Sequence, residues 1–363
     1  RKRTMRGIVV LLLLLLAHAR RSFVSSFAYT SSALPALHLT DKSTASDVFR
    51  ELKRNDKIAP YASTGEAAGG TAVVTGGNGG IGAETVSTLV RAGMRVVVCT
   101  NEYDSGLSFR ESLPDEHRNR VTVKFMDLGD MYSVEMVAGD ILSENGADGI
   151  DLIVNNAAVG GLSERKESSQ GLELIWAVNH VGHHLFTRLL LQSMNENGRI
   201  VTVSSSSHAE VNDFDWGNIE YNFFYPYAQS KLCNILFARE LNERLSREGR
   251  GDVASVCLHP GVAATGMWRE LPAFLTMILK FLWIDKSAEQ AAATSVFCAL
   301  ADAGYLKGGG YYVDCQLTSP SLNAESVELR DDLWKKTEKV IAKSGFDLPS
   351  SLIASSNPIC RHQ

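Results

Sequence analysis

Short apolar runs alternate with helical stretches along most of this 363-residue chain, and the alternation narrows the fold more than any other feature. The runs predict strands at residues 71–75, 95–99, 121–125, 151–155, 199–204, 253–258 and 311–314. Helices are predicted between and after them, at residues 81–92, 131–144, 172–194, 227–248, 287–302 and 326–341. Strands that are apolar on both faces and separated by helices are typical of a parallel sheet covered on both sides. We therefore predict an α/β fold with one doubly wound parallel sheet, which binds ligands at the carboxyl ends of its strands.

A glycine-rich turn joins the first predicted strand to the first predicted helix of this pattern, with the sequence Thr75-Gly76-Gly77-Asn78-Gly79-Gly80-Ile81-Gly82. Glycines let the backbone turn tightly and approach a pyrophosphate, and the helix start supplies free N–H groups and a positive dipole end. A glycine-rich turn is often only a turn, but the strand before it and the helix after it favour a dinucleotide site.

Further motifs follow the later strands in a fixed order. They are Asp127-Leu128, Asn155-Asn156-Ala157-Ala158, Val178-Asn179-His180-Val181-Gly182-His183, Val203-Ser204-Ser205, Tyr227-Ala228-Gln229-Ser230-Lys231, and His259-Pro260-Gly261 with Thr265. Together with the Gly-x-x-x-Gly-x-Gly spacing, they resemble the single-domain branch of the short-chain dehydrogenase/reductase family from residue 70 to about residue 340, with Ala158 replacing the family's usual Gly. The Asn-His-x-Gly-His and His-Pro-Gly-Val segments resemble its retinol-dehydrogenase-like subgroup.

The resemblance implies a Rossmann-type fold and an NAD(P)-dependent oxidoreductase that interconverts an alcohol and a carbonyl by hydride transfer. It implies four catalytic residues, which are Asn179, Ser205, Tyr227 and Lys231. It implies that the cofactor contacts Gly76, Asn78, Gly80, Ile81, Gly82, Thr100, Asn101, Asp127, Leu128, Asn155, Ala157, Tyr227, Lys231, Pro260, Gly261 and Thr265.

The chemistry of carbonyl reduction agrees with these residue types. A tyrosine donates a proton effectively only if its pKa, about 10 in isolation, is lowered towards the working pH. Lys231 follows Tyr227 by four residues, so it lies on the same helical face and can stabilise the phenolate. Ser205 is placed to stabilise charge on the substrate oxygen, and Ser204 and Ser206 are its rivals.

No metal site is predicted. His180, His183 and His184 have the helical spacing of metal ligands, but no carboxylate or cysteine completes a site.

Cofactor choice is read at the end of the second strand, where the sequence is Cys99-Thr100-Asn101. An acid there would bind the ribose 2′-hydroxyl of NAD, and an arginine would attract the 2′-phosphate of NADP. The segment has neither, although Glu102 is close. Because Thr100 and Asn101 can donate hydrogen bonds to a phosphate, NADP is favoured over NAD.

The apolar segment 268–283 is expected to close over a lipophilic, retinol-, aldehyde- or ketone-like substrate. A helix packed on the core or on a dimer partner is the alternative interpretation of that segment.

The first forty residues contain six basic side chains and no acid, and an apolar run at residues 8–17. That run is too short to span a bilayer but has the length of a signal-peptide core. We therefore predict a signal- or transit-type targeting segment at 1–40, a linker with a short helix at 41–69, a catalytic domain at 70–345 and a tail at 346–363. The segment directs the chain into the endomembrane system. Val24-Ser25-Ser26-Phe27-Ala28 resembles plastid presequences of complex-plastid algae, and the ER membrane is the alternative location.

The remaining residues carry 30 basic and 41 acidic side chains, since six of the 36 basic residues lie in the first forty. This acidic balance argues against non-specific nucleic-acid binding. The expected partners are a small lipophilic molecule, a membrane surface, and a second copy of the chain meeting the long helices 172–194 and 227–248. A dinucleotide-binding regulatory or scaffold protein, such as a redox-sensing partner of a plastid import complex, is the alternative function.

Overall fold

The computed structural model describes residues 37–62, 69–145, 149–162, 164–214, 224–261, 286–349 and 351–352. The predicted targeting segment up to residue 36, Thr265 and the apolar segment 268–283 lie outside the described residues. None of the helices in these ranges is long and apolar enough to cross a membrane.

The described strands form one eight-stranded sheet in the order β3-β2-β1-β4-β5-β6-β7-β8. They are β1 Thr71–Thr75, β2 Arg95–Thr100, β3 Val121–Phe125, β4 Ile150–Asn155, β5 Met194–Val203, β6 Ala254–His259, β7 Tyr311–Val313 and β8 Gln316–Thr318. All neighbouring pairs are parallel except β7 and β8, which are antiparallel. The strand order reverses between β1 and β4, which confirms the predicted doubly wound parallel sheet.

Helices cover both faces of this sheet. They are α1 Ala45–Arg54, α2 Gly80–Arg91, α3 Tyr103–Ser112, α4 Asp115–Arg118, α5 Met131–Asn145, α6 Leu174–Trp176, α7 Gly182–Leu190, α8 Tyr225–Arg247, α9 Ala288–Leu300, α10 Leu322–Glu325 and α11 Val327–Lys343. Successive residues of β1 enter different cores, since Val74 packs in one apolar cluster and Val73 in the other. This alternation is why the strands are apolar on both sides.

The helix predicted at 172–194 is divided in the structure. It begins at α6, continues as a π-helical segment Ala177–Val181 and ends as α7, and Met194 already begins β5. The sequence pattern also missed α3 and β8. In α3 the only buried residue is Gly106, so the helix has no apolar stripe by which sequence periodicity could reveal it.

The segment predicted as a linker is packed against the catalytic domain where it is described. Thr44 and Asp47 form a capping box at the start of α1, and this helix buries Val48 and Leu52. Its continuation reaches α9, where the Ala59 N–H donates to the Leu300 carbonyl at 2.7 Å. The described residues of this segment therefore contribute to the core.

The C-terminal helix α11 covers the outer faces of α7 and α8. Trp334 stacks on Phe237 of α8 with ring centroids 5.9 Å apart, and it also contacts His184 of α7 at 4.6 Å. Every residue of α7 except Leu189 is buried. The homo-oligomer through these two helices that the resemblance implied stays a prediction.

We expect Trp334→Ala to destabilise the fold by about 3–5 kcal/mol, because it removes a large buried aromatic from this contact. It also removes the ring beneath the Arg244 guanidinium, which lies 4.7 Å from the ring centroid. Urea unfolding followed by far-ultraviolet circular dichroism measures the change. Lys339→Ala, at an exposed position of the same helix, is the control. Equal unfolding midpoints for the two variants would contradict this account of α11.

Candidate active site

The glycine-rich turn after β1 leaves room for an anion. Gly76 has a φ of +62°, and a Cβ on Gly82 would lie 2.1 Å from the Gly76 carbonyl oxygen, so both positions need glycine. A Cβ on Gly79 would meet nothing within 4 Å, and Gly79 caps α2 without any side-chain hydrogen bond. The open space and the uncapped N–H groups at the start of α2 fit a pyrophosphate.

The turns after β1 and β4 are joined through the Thr75 hydroxyl. Its Oγ1 accepts the N–H groups of Asn156 and Ala157 at 2.9 and 3.0 Å, and it contacts the His183 Nε2 at 2.8 Å. His183 Nδ1 contacts the Asn179 carbonyl at 3.2 Å, and burial lowers the His183 pKa to about 3. A neutral His183 that donates from Nδ1 and accepts at Nε2 satisfies all of these groups.

The two residues at the end of β2 that the sequence offers to the cofactor differ in their exposure. Thr100 is buried and its Oγ1 accepts the Glu102 N–H at 3.0 Å, whereas Asn101 is exposed. Asn78 of the glycine turn donates to Ser105 Oγ at 3.1 Å and reaches the Glu102 carboxylate at 3.4 Å. The Glu102 carboxylate therefore lies beside the glycine-rich turn.

Two further predicted cofactor contacts, at Asp127 and Asn155, serve the protein itself. The Asp127 carboxylate accepts the Gly129 N–H at 2.8 Å. Asn155 is buried and donates to Thr187 Oγ1 at 2.9 Å, so its side chain faces α7. At the end of β6, Gly261 has a φ of +88° and lies against the Lys286 side chain.

Three of the four predicted catalytic residues meet where β5 ends. The Ser205 side chain lies beside Tyr227 of α8 and lowers the pKa of that tyrosine, and the Lys231 Nζ lies 5.5 Å from the centre of the Tyr227 ring. The neighbouring serines are placed elsewhere, because Ser204 Oγ donates to the Lys231 carbonyl at 2.7 Å and Ser206 is exposed. Ser205 is therefore the serine that faces the tyrosine.

Asn179, the fourth predicted catalytic residue, lies in the π-helical segment. Its amide exchanges two hydrogen bonds with the Val159 backbone, at 2.8 and 2.9 Å, and also donates to Ser230 Oγ at 2.9 Å. Ser230 in turn donates to the Tyr227 carbonyl at 2.8 Å. Asn179 thus links the loop after β4 to α8, and a π-helical turn is common at such functional positions.

Burial shifts the pKa values of Tyr227 and Lys231 in opposite directions. It raises the Tyr227 pKa to about 12, against the lowering effect of the nearby Ser205 side chain. It lowers the Lys231 pKa to about 8, while its Nζ donates to the Val203 carbonyl at 3.1 Å. The wall beside Tyr227 is apolar, since the tyrosine clusters with Leu162 and Ile175. Across the described ranges, no group of three or more His, Cys, Asp or Glu is arranged to hold a metal ion.

Two histidines that the sequence analysis gave no role contact the backbone beside Ser205. His208 Nδ1 lies 2.7 Å from the Ser205 carbonyl, and the Ser206 N–H donates to His259 Nδ1 at 3.2 Å. The signals available in the sequence were the position of His208, three residues after Ser205, and the place of His259 in the His-Pro-Gly motif.

A doubly wound sheet with a glycine-rich first turn, and a Tyr-x-x-x-Lys helix facing a serine, defines a dinucleotide-dependent oxidoreductase. The sequence profile of the short chain dehydrogenase family matches residues 70–275, and the chain belongs to this family. The predicted resemblance is thereby confirmed, and the protein is an NAD(P)-binding enzyme that interconverts alcohols and carbonyls.

Curated relatives and a solved structure agree. Mouse retinol dehydrogenase 11 is 34% identical over 278 residues, which cover 73% of this chain and 84% of that protein. Human retinol dehydrogenase 13 is 30% identical over 295 residues, which cover 78% and 86% of the two chains. A crystal structure of a Mycobacterium Paratuberculosis protein has a TM-score of 0.61 at 26% identity and covers 80% of this chain and 97% of that one. The chain is thus similar to retinol dehydrogenases over most of their length.

Lys231→Met should stabilise the protein without cofactor at neutral pH. Burial disfavours the charged lysine in the folded state, because its pKa falls from 10.5 to about 8. The penalty is full below pH 8, shrinks as the pH rises from 8 to 10.5, and is absent above 10.5. We expect a gain of at most roughly 3 kcal/mol at pH 7 that fades by pH 10.

Urea unfolding at the two pH values measures this gain. The substitution leaves no unpaired acceptor, because the Val203 carbonyl also accepts from Asn234 at 3.1 Å. Lys335→Met, at an exposed site, is the control and should show no such pH dependence. A Lys231→Met protein that is less stable than the wild type at both pH values would refute the conclusion that burial of the charged lysine lowers the stability of the fold.

Proposed function

We propose that this enzyme interconverts lipophilic alcohols and their aldehydes or ketones, with Asn179, Ser205, Tyr227 and Lys231 as its working residues. The observation that carries the proposal is the meeting of Ser205, Tyr227 and Lys231 at the carboxyl end of β5, on the same sheet edge as the glycine turn. A protein that only binds a dinucleotide has no need of this meeting.

The chain's own residues would handle the proton. Tyr227 donates its hydroxyl proton to the substrate oxygen in reduction and removes it in oxidation, while the Ser205 hydroxyl donates a hydrogen bond to the same oxygen. The Lys231 ammonium opposes the effect of burial on Tyr227 by stabilising its phenolate. Asn179 holds the loop after β4 against α8 and so keeps Tyr227 in place. The nicotinamide, when bound, supplies or accepts the hydride.

The cofactor would lie along the carboxyl edge of the sheet. Its pyrophosphate would bind the N–H groups of the turn at Gly79 and Gly80, where the structure has open space. Asp127 and Leu128 follow β3 and Ala157 follows β4, so their backbones reach the same edge. Pro260 and Gly261 complete it after β6.

A lipophilic substrate is favoured by the surroundings of Tyr227. Leu162 and Ile175 are buried beside its ring, and Val159 and Leu174 pack against them. An apolar wall next to a hydroxyl pair selects molecules that bury a hydrocarbon and present one oxygen. The names of the similar proteins, retinol dehydrogenases, fit such a substrate.

We propose NADH over NADPH from the surroundings of the end of β2, whereas the sequence alone favoured NADP. Thr100 is buried, and the Glu102 carboxylate lies 3.4 Å from the Asn78 amide. Neither residues 75–82 nor residues 96–105 include a lysine or arginine to compensate a 2′-phosphate beside that carboxylate.

Tyr227→Phe should lower the turnover of decanal and all-trans-retinal by about 10²–10⁴-fold, because the proton donor is removed. The dissociation constant of NADH, measured by calorimetric titration, should change less than about threefold, since the glycine turn is untouched. Tyr225→Phe is the matched control, because the Tyr225 hydroxyl donates to the Asp213 carbonyl. Full turnover by the Tyr227→Phe enzyme would disprove the acid–base role.

Glu102→Gln should tighten NADPH binding by roughly threefold to tenfold, with little effect on NADH, because it removes a charge that repels the 2′-phosphate. Titration of the wild type and the variant with both nucleotides measures this. Glu116→Gln, at an exposed glutamate of α4, is the control. Tighter binding of NADPH than of NADH by the wild type would contradict the cofactor assignment.

A further inference from the structure

The peptide bond that links Ser205 to Ser206 is held from both sides by histidines of different elements. Its carbonyl contacts His208 Nδ1 at 2.7 Å, and its N–H donates to His259 Nδ1 at 3.2 Å. We propose that His208 and His259 are positioning residues that fix this peptide and thereby aim the Ser205 hydroxyl at the substrate oxygen. The proposal deepens the proposed function and rests on it for the role of Ser205.

The hydrogen bonds define one protonation state for each ring. His208 must carry its proton on Nδ1, because Nδ1 faces a carbonyl and Nε2 accepts the Ser321 N–H at 3.0 Å. His259 must carry its proton on Nε2, because its Nδ1 accepts an N–H. The peptide is therefore held from both sides only while His208 carries a proton on Nδ1 and His259 Nδ1 carries none, and the Ser321 contact requires in addition that His208 is neutral.

The surroundings of both rings favour neutrality. Burial lowers the pKa of His208, and it lowers that of His259 to about 4. The charged groups that face His259 are Asp314, which raises its pKa, and Lys286, which lowers it, and His208 lowers it further. Since Asp314 and Lys286 form an ion pair with each other, their effects on His259 oppose one another.

Both histidines are held by parts of the chain that are far from Ser205 in sequence. His208 is buried, with its ring edge-on to Tyr311 at 5.1 Å, and it contacts Ser321 just before α10. His259 is the last residue of β6. The Ser205–Ser206 peptide is thus fixed between the sheet and the C-terminal region, which a loop following a strand does not provide by itself.

The orientation of this peptide controls the Ser205 side chain. Ser205 caps the 3-10 turn Ser206–Glu210, and its Oγ accepts the Ser207 N–H at 3.2 Å. Rotation of the adjoining peptide would move Oγ away from Tyr227, and a misplacement of about 1 Å at a reacting group costs on the order of a hundredfold in rate. The glycine turn lies on other elements, so cofactor binding should be independent of the two histidines.

The test compares Asn and Leu at each histidine. An Asn side chain places an amide near the Nδ1 position, so that its Nδ2 can donate to the Ser205 carbonyl and its Oδ1 can accept the Ser206 N–H. We expect His208→Leu and His259→Leu to lower kcat for decanal by about 10–100-fold, with the NADH dissociation constant unchanged. His208→Asn and His259→Asn should recover most of kcat. Ser206→Ala keeps the backbone N–H and should match the wild type.

Equal kcat for the Leu and Asn variants would overturn the proposal, since a residue that only fills space does not depend on an amide at Nδ1. A second measurement needs no substrate. In ¹⁵N-histidine-labelled protein at pH 7, with signals assigned by the four variants, His208 should appear as the Nδ1–H tautomer and His259 as the Nε2–H tautomer. Any other state for either ring would refute the proposed positioning of the Ser205–Ser206 peptide, even if the proposed reaction stands. Correct tautomers in an enzyme without Tyr227-dependent turnover would refute the proposed function, and the role assigned to Ser205 with it.

Discussion

The Thr75 hydroxyl is the interaction on which the two halves of the site depend. It accepts the N–H groups of Asn156 and Ala157 and contacts His183, whose other nitrogen reaches the Asn179 carbonyl. One side-chain oxygen at the end of β1 therefore joins the glycine turn, the turn after β4 and the π-helical segment. Because these groups are largely shielded from water, losing any of them would leave unpaired polar atoms, which makes the arrangement hard to deform.

A buried lysine lies at the centre of the same region and costs stability. Lys231 is 2% exposed, and burial lowers its pKa towards the physiological range. No carboxylate pairs with it in the described ranges; its Nζ donates to a strand carbonyl. In the proposed function this charge stabilises the phenolate of Tyr227, whose pKa burial raises to about 12. Stability and function thus make opposite demands on one residue.

The sequence predicted what depends on local pattern and missed what depends on distant contacts. The apolar runs predicted the parallel sheet, and the motifs predicted that Ser205, Tyr227 and Lys231 would meet, because parallel strands bring their carboxyl ends to one edge. The contact of His259 with Ser206 and that of His208 with Ser321 were not predictable, since these partners lie 53 and 113 residues apart along the chain. The packing of α1 and α11 was missed for the same reason. The choice between NADP and NAD stays a prediction, because the sequence gives neither an acid nor an arginine at residues 99–101.

The four serines after β5 show how a strand assigns different roles to identical residues. Side chains of an extended chain alternate between the two sides of a sheet, so Ser204 and Ser205 must point in opposite directions. Ser204 turns inward and bonds the Lys231 carbonyl, and Ser205 then faces Tyr227. The backbone stays extended beyond β5 as far as Ser205 and enters the 3-10 turn at Ser206, whose N–H donates to His259 Nδ1. The extended backbone therefore selects the serine that faces Tyr227, and the residue after the strand supplies the peptide that the histidines hold.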